Sequence, residues 1–260
     1  KDHRFVISPV LRKGDYTVRL TLTNEKISMT KTIALQVPDP AEKPGNAVWI
    51  DNRGRTWVDG KKFLPVCLYT NHFHPIAARW GNRWNDAEYD RLPKSPFNCV
   101  LSNGITRQRN GNWKGDGNFW ARPTEENTKA ALEFMDEFNR RGLKVIYAAL
   151  PLHEKFNYEN VTGVDNVIKR LVERFSKHPA LLAWYINDER DVTENELKIR
   201  ETFGRLDPWH PTYLIHLKYA DYAQFLGGGD IYGMDNYPIF NEKSDMQVLA
   251  NALDAAHKVF

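Results

Sequence analysis

The sequence predicts an α/β protein: a (β/α)8 barrel of the TIM type, preceded by a small antiparallel β segment. Three observations lead to this prediction. From Phe63 onwards, short apolar strands alternate with helical segments. The strands are nearly all apolar, which is typical of a parallel sheet covered on both faces. Polar or aromatic residues follow nearly every strand, and a barrel gathers these carboxyl ends around one mouth, whereas an open doubly wound sheet uses mainly its switch point.

Residues 1–38 are predicted to form antiparallel β-strands, with a turn at Gly14 and Asp15. Apolar side chains alternate with polar ones at Tyr16, Val18, Leu20, Leu22, Ile33, Leu35 and Val37. Two or three such strands leave an apolar face uncovered, so we expect this segment to be the end of a β-sandwich module. A proline-containing linker, 39–47, is predicted to follow it.

Residues 48–260 are predicted to form an incomplete barrel, and a hairpin with a turn at Asp59 and Gly60 leads into its first strand. The predicted strands are Phe63–Tyr69, Phe97–Leu101, Lys144–Leu150, Leu181–Ile186, Thr212–Leu217 and Asp230–Asp235. The predicted helices are Thr124–Arg141, Val164–Ser176, Glu194–Leu206, Asp221–Leu226 and Asp245–Phe260. A barrel needs eight strands, so we expect its C-terminal part to be absent and the chain to be a fragment of a longer enzyme.

The composition disfavours several classes of protein. Of the 260 residues, 42% are hydrophobic and 27% charged, which is typical of a folded globular chain. A net charge of only +3 argues against a nucleic-acid partner. No apolar run approaches the ~20 residues of a membrane helix, and the start lacks an initiator Met and a signal-type region, so we expect a mature or excised piece. The two cysteines, Cys67 and Cys99, are predicted to be buried free thiols rather than a bridge.

The segment Lys177–Glu189, with the sequence KHPALLAWYINDE, resembles the strand-four region of barrel glycoside hydrolases, in the clan whose catalytic carboxylates follow strands four and seven. Phe97–Val100, Arg141–Ile146 and Arg205–Thr212 resemble the way this clan enters strands two, three and five. The likeness extends from about Val48 to the end of the chain. It implies a glycosidase whose general acid/base is Glu189 and whose nucleophilic Glu follows a seventh strand beyond residue 260.

The chemistry of glycoside hydrolysis favours a residue such as Glu189 independently. The leaving oxygen needs a carboxylic acid that is still protonated near neutral pH, and desolvation beside Trp184 and Tyr185 would raise the pKa of a Glu in this way. The alternative is a structural Glu189, either paired with Arg190 or capping the following helix.

Asp188 departs from the clan pattern, which typically has Asn before the catalytic Glu. An Asp-Glu pair resembles the hexosaminidases, in which the substrate's acetamido oxygen is the nucleophile and the Asp orients it. The alternative is that Asp188 only holds a neighbouring Lys or Arg. Both interpretations stay open at the level of sequence.

Further residues are predicted to bind the substrate because they end strands or lie in a loop rich in Trp, Asn and Gly. His72 and His74 also suggest a metal site, but sugar hydrogen bonding explains them as well, and no metal or other cofactor is predicted. Trp113 and Trp120 suit stacking on sugar rings, although packing of their own loop is an equal alternative. The predicted substrate-binding residues are Asn71, His72, His74, Asn103, Asn187, His216, Asp235, Tyr237, Trp113 and Trp120.

The leading hypothesis is a glycoside hydrolase of poly- or oligosaccharides that acts outside the cell, in a periplasm or at the cell surface. It is expected to use the retaining scheme, and the isolated chain is expected to be inactive on ordinary glycosides because a carboxylate is missing. The alternatives are a substrate-assisted N-acetylhexosaminidase using Asp188 and Glu189, a non-catalytic carbohydrate-binding barrel, and a barrel lyase or metal-dependent hydrolase.

Overall fold

The computed structural model describes residues 13–23, 28–51, 53–69, 86–102, 125–150, 152, 157–216, 222, 225–235 and 245–259. The chain divides into two compact units, Lys1–Pro44 and Gly45–Phe260. None of the described helices is long and apolar enough to cross a lipid bilayer.

The first unit contains an antiparallel pair of strands, β1 (Gly14–Thr23) and β2 (Ser28–Val37). The register pairs Tyr16 with Leu35 and Val18 with Ile33, so the alternating apolar residues share one face, as the sequence predicts. The predicted turn at Gly14 and Asp15 is wrong. These two residues begin β1, because Val37 and Gln36 at the end of β2 extend the ladder opposite them.

The second unit starts with a small antiparallel sheet of β3 (Val48–Ile50), β4 (Thr56–Val58) and β5 (Lys61–Lys62). The turn between β4 and β5 is at Asp59 and Gly60, as predicted. Both residues have positive φ angles, 50° and 74°, which suit the tight two-residue turns of β-hairpins.

Among the described residues of the second unit, six parallel strands form the main sheet, and five helices lie along the same stretch of chain. The strands are β6 (Cys67–Tyr69), β7 (Cys99–Ser102), β8 (Lys144–Ala148), β11 (Leu181–Asp188), β12 (Thr212–His216) and β13 (Ile231–Met234). The short strands β9 (Asn157–Tyr158) and β10 (Val161–Thr162) pair separately. The helices are α1 (Asp86–Tyr89), α2 (Glu125–Arg140), α3 (Val164–Phe175), α4 (Glu194–Leu206) and α5 (Gln247–Val259).

The strand order of this sheet is β6-β7-β8-β11-β12-β13, which is also the order of the strands along the chain. A doubly wound sheet reverses its order at a switch point, whereas a barrel adds each strand beside the previous one. The described strands therefore form a parallel half-barrel. The closed eight-stranded barrel predicted for the fold class is not reached within them.

Two apolar cores cover the two faces of the sheet. The outer core joins strand residues such as Val145 and Trp184 to the inward faces of α2, α3 and α4. The inner core contains Ile146, Ala183 and Tyr185, together with Val48 and Val58 from the small antiparallel sheet. Because both faces are covered, the strands are almost continuously apolar, which explains their pattern in the sequence.

The first barrel strand is shorter than predicted, since β6 begins at Cys67 instead of Phe63. The side chain of Asn98 explains the difference. Its Oδ1 accepts from the backbone amide of Val66 at 2.8 Å and its Nδ2 donates to the carbonyl of Leu64 at 2.8 Å. These contacts satisfy backbone groups that a longer strand would have given to a neighbouring strand.

A buried polar cluster connects the loop after α4 to the start of the second unit. The indole Nε1 of Trp184 donates to Asp207 Oδ2 at 2.8 Å, and His210 Nδ1 lies 2.8 Å from the same oxygen. His210 Nε2 lies 3.2 Å from the backbone oxygen of Asn46. Asn46 in turn donates to the carbonyl of His178 at 3.0 Å. The cluster fixes strand β11 through its largest side chain.

We expect Asp207→Ala to destabilise the protein by about 3 kcal/mol, because it leaves the buried donors of Trp184 and His210 without their acceptor. Urea unfolding followed by far-UV circular dichroism measures this change. Asp254→Ala, on the exposed side of α5, is the matched control and should stay within about 0.5 kcal/mol of the parent. Similar losses in the two variants would contradict the importance of the cluster.

Candidate active site

The carboxyl ends of three neighbouring strands bring several predicted site residues to one edge of the sheet. Asp188 of β11 pairs in register with Ile215, and His216 of β12 pairs with Met234. The amide of Glu189 donates to the carbonyl of Ile215 at 3.0 Å, and the amide of Asp235 donates to the carbonyl of His216 at 3.0 Å. Asp188, Glu189, His216 and Asp235 therefore follow one another along a single sheet edge.

Glu189 occupies a strained position on the backbone. It is exposed, and its φ angle is 57°, in the left-handed region that non-glycine residues rarely adopt. Such a conformation costs on the order of 1 kcal/mol and persists only where the surrounding structure imposes it.

Asn187 is the residue that imposes this turn. Its Nδ2 donates to the carbonyl of Arg190 at 3.1 Å, and its Oδ1 accepts from the amide of Arg190 at 3.0 Å. The side chain is only 2% exposed. The sequence predicts Asn187 as a sugar ligand; in the structure its amide group holds the backbone of Arg190, directly after Glu189, and so positions Glu189.

The two structural alternatives for Glu189 can be compared with the described contacts. The N-cap of α4 is Thr193, which forms a capping box with Glu196, so Glu189 does not cap this helix. The ion pairs found among the described residues do not include one between Glu189 and Arg190.

The carboxyl group of Glu189 shares a hydrogen bond with that of Asp235. Two carboxylates have no proton to donate to each other, so this contact requires one proton between them. Partial loss of water, the hydrogen bond with Asp235 and the negative charge of Asp188 raise the pKa of Glu189 to about 7. These neighbours thus bring the pKa of Glu189 into the neutral range.

Asp188 is held by the hydroxyl of Tyr185, which donates to its Oδ1. Burial and this hydrogen bond raise the pKa of Tyr185 well above its usual value, so the hydroxyl keeps its proton. The alternation of a regular strand would put residues 185 and 188 on opposite faces. The register shifts at Ile186, between the pairs Tyr185–Tyr213 and Asn187–Leu214. This bulge allows the side chains of Tyr185 and Asp188 to lie on the same face. The sequence pattern presents Tyr185 only as an apolar ring and does not predict this contact.

His216 reaches the same edge through its backbone, but its ring is buried. The ring centroid lies 3.4 Å from that of Phe225 and 6.2 Å from that of Tyr222. His216 is 3% exposed. In this arrangement the ring packs against Phe225 and Tyr222, and the role of His216 in lining a sugar pocket stays a prediction.

The remaining predicted site residues lie outside the described parts of the chain, so their roles stay predictions. They are Asn71, His72, His74, Asn103, Trp113, Trp120 and Tyr237. Within the parts that are described, no group of three or more His, Cys, Asp or Glu side chains could hold a metal ion.

No family model and no curated protein matches the chain. Among solved structures it is similar to the β-D-glucuronidase of Dictyoglomus thermophilum, with 14% identity and a TM-score of 0.53 over 95% of this chain and 41% of that one. It is also similar to β-glucuronidase 2 of Bacteroides uniformis, solved covalently bound to cyclophellitol-6-carboxylate aziridine, with 14% identity and a TM-score of 0.50 over 94% and 28% of the two chains. A candidate β-galactosidase of Bacteroides fragilis matches with 13% identity and a TM-score of 0.50 over 96% and 34%.

At these identities the likeness shows a shared fold. The chain spans between 28% and 41% of the length of these three structures.

We expect Asp235→Asn to lower the pKa of Glu189 from about 7 towards the ordinary value of 4.5, because the shared proton and the charge are both lost. Asp188→Asn should lower it by less, since Asp188 acts on Glu189 through its charge alone. Titration of ¹³C-labelled glutamate carboxyl groups by NMR measures both changes, with Glu189→Gln assigning the signal. An unchanged pKa in Asp235→Asn, or a larger fall in Asp188→Asn, would contradict the shared proton.

Glu189→Gln should stabilise the protein at alkaline pH. The folded chain binds the Glu189 proton up to about pH 7 and the unfolded chain only up to about 4.5, so the parent loses stability as the pH rises through this window. Gln does not ionise. We therefore expect the Tm difference between variant and parent to grow from pH 4 to pH 8, by a few degrees at most because Glu189 is exposed. A difference that does not change with pH would refute the raised pKa.

Proposed function

We propose that this chain supplies the general acid/base part of a glycoside hydrolase that acts on poly- or oligosaccharides. The observation that carries the proposal is the position of Glu189 at the carboxyl edge of a parallel half-barrel, where partial loss of water and the neighbouring Asp235 and Asp188 raise its pKa to about 7. A general acid works best when its pKa lies near the working pH, because it must be protonated and yet release its proton readily. The resemblance of Lys177–Glu189 to the strand-four region of barrel glycosidases supports the same role.

In the proposed reaction, protonated Glu189 donates its proton to the glycosidic oxygen as the bond to the anomeric carbon breaks. In the second half of the retaining scheme the resulting carboxylate takes a proton from the attacking water. Asp235 keeps the proton on Glu189 before the leaving group arrives. Asn187 fixes the backbone that carries the acid, and Tyr185 fixes the neighbouring Asp188.

Retention requires a second carboxylate ~5–5.5 Å from the acid, and inversion one ~6.5–9.5 Å away. Asp235 hydrogen-bonds to Glu189 and raises its pKa, which favours the protonated acid. In the proposal Asp235 is therefore a positioning residue. In this proposal the nucleophile is a residue outside the described parts.

The fold likeness supports this class of reaction. Two of the similar structures are named as glucuronidases and one as a candidate galactosidase. We further propose that the protein acts outside the cytoplasm, where polysaccharides are found.

A second candidate is a substrate-assisted N-acetylhexosaminidase. The fixed carboxylate of Asp188, held by Tyr185 beside the protonated Glu189, is the observation that favours it. Substrate assistance needs an oriented Asp and an acid, and it does not need a nucleophile from the protein.

For the longest natural form of the protein, we expect Glu189→Gln to reduce kcat/KM on alkyl glycosides by roughly 10²–10⁴-fold and on dinitrophenyl glycosides by less than about tenfold. The dinitrophenolate leaves without protonation, and kcat/KM reports the bond-breaking step. Glu201→Gln, an exposed change on α4, is the control. Equal losses on both substrates would refute Glu189 as the acid.

Varying the sugar of the substrate in the same assay distinguishes the two candidate functions. Hydrolysis of aryl glucosides, galactosides or glucuronides supports the two-carboxylate scheme, whereas cleavage confined to aryl N-acetylglucosaminides supports substrate assistance. Binding of oligosaccharides without hydrolysis of any of these would overturn both and leave a carbohydrate-binding barrel.

A further inference from the structure

The two cysteines of the chain face each other across neighbouring strands. Cys67 of β6 and Cys99 of β7 are direct partners in the parallel register. Neighbouring strands lie about 4.7–4.9 Å apart, and disulfides span Cα separations of roughly 4.4–6.8 Å. The chain contains 2 cysteines in all, so each has the other as its only intrachain partner.

The side chains of the pair point to the same face of the sheet. The thiol of Cys67 lies within hydrogen-bonding reach of that of Cys99. Both belong to the inner core, where Cys99 is fully buried and Cys67 partly so. Both also act electrostatically on Tyr213 of the inner face. A bond between the two thiols therefore does not require either side chain to move to the other face of the sheet.

We propose that Cys67 and Cys99 are a modification site at which an intrachain disulfide forms when the chain folds in an oxidising compartment. The oxidant is a small disulfide such as oxidised glutathione. One cysteine thiolate attacks it, forming a mixed disulfide and releasing one glutathione thiolate. The second cysteine thiolate then displaces the second glutathione, so two cysteine thiols are oxidised and one small disulfide is reduced to two thiols.

The environment of the pair determines when this reaction occurs. Contact with Cys99 and burial raise the pKa of the Cys67 thiol, and the thiolate is the attacking species. The folded, reduced protein should therefore react slowly, while the folding chain, whose thiols are hydrated, reacts quickly. Tight packing around the pair then protects either state once folding is complete.

The cross-link would fix an edge of the sheet. Among the described strands, β6 pairs with β7 alone. A bond between Cys67 and Cys99 would hold β6 in register, and in the sequence β6 leads directly into the segment with Asn71, His72 and His74.

The test is to refold the denatured, reduced chain in a mixture of oxidised and reduced glutathione, and in parallel in reducing buffer. We expect the first product to lose two hydrogen masses and to give a linked pair of tryptic peptides, 63–79 and 95–107. It should also melt roughly 5–10 °C higher than the reduced product. Cys67→Ser and Cys99→Ser should gain no linked peptide and show the same Tm in both buffers.

Two free thiols, or glutathione adducts and dimers in place of the linked peptides, would overturn the proposal. The folded, reduced protein incubated with oxidised glutathione should form the bridge at least about tenfold more slowly than the refolding chain; equal rates would overturn the link to folding. If the chain does not refold in vitro, the same peptide map is made on chain exported to a bacterial periplasm. None of these readouts depends on hydrolytic activity.

Discussion

The nearly complete burial of strand β11 is the constraint on which the other features depend. Residues 181–187 of this strand are all buried, and the strand bonds to β8 on one side and β12 on the other. Trp184 points into the outer core, where Asp207 accepts from its indole, while Tyr185 lies in the inner core. Because the strand is fixed on both faces and both edges, it also restricts the backbone conformation of the residues that follow it. The position of Glu189 is therefore set by packing some distance from the carboxyl group itself.

This constraint explains how an unfavourable local state is maintained. Glu189 combines a left-handed backbone with a carboxyl group placed beside two others, Asp188 and Asp235. Each of these features costs free energy, and neither would survive in a flexible loop. The hydrogen bonds of Asn187 and the capping box at Thr193 fix both ends of the short connection between β11 and α4. Burial of apolar side chains in the cores on both faces of the sheet offsets these free-energy costs.

The sequence predicts the parts of this arrangement that depend on periodicity. The predicted helix 194–206 agrees with α4 at both ends, and most other elements agree within about three residues. The rule that parallel strands end at one edge is enough to predict that Glu189, His216 and Asp235 lie together. Local irregularities are not predictable in this way. The bulge at Ile186 leaves no mark in the apolar pattern, so the contact between Tyr185 and Asp188 does not follow from it. Asn187 has the residue type of a sugar ligand, and nothing in the sequence indicates that its partner is backbone.

The electrostatic demands on a glycosidase acid also limit what its neighbours can do. A carboxyl group that must be protonated at neutral pH benefits from negative charge nearby, whereas the nucleophile of a retaining enzyme must itself be ionised and ~5–5.5 Å away. In the proposed mechanism Asp235 meets the first demand, because its hydrogen bond to Glu189 and its charge raise the pKa of the acid. One carboxylate cannot hold the proton in place and also attack the anomeric carbon. In the proposed mechanism the two tasks therefore fall to different residues.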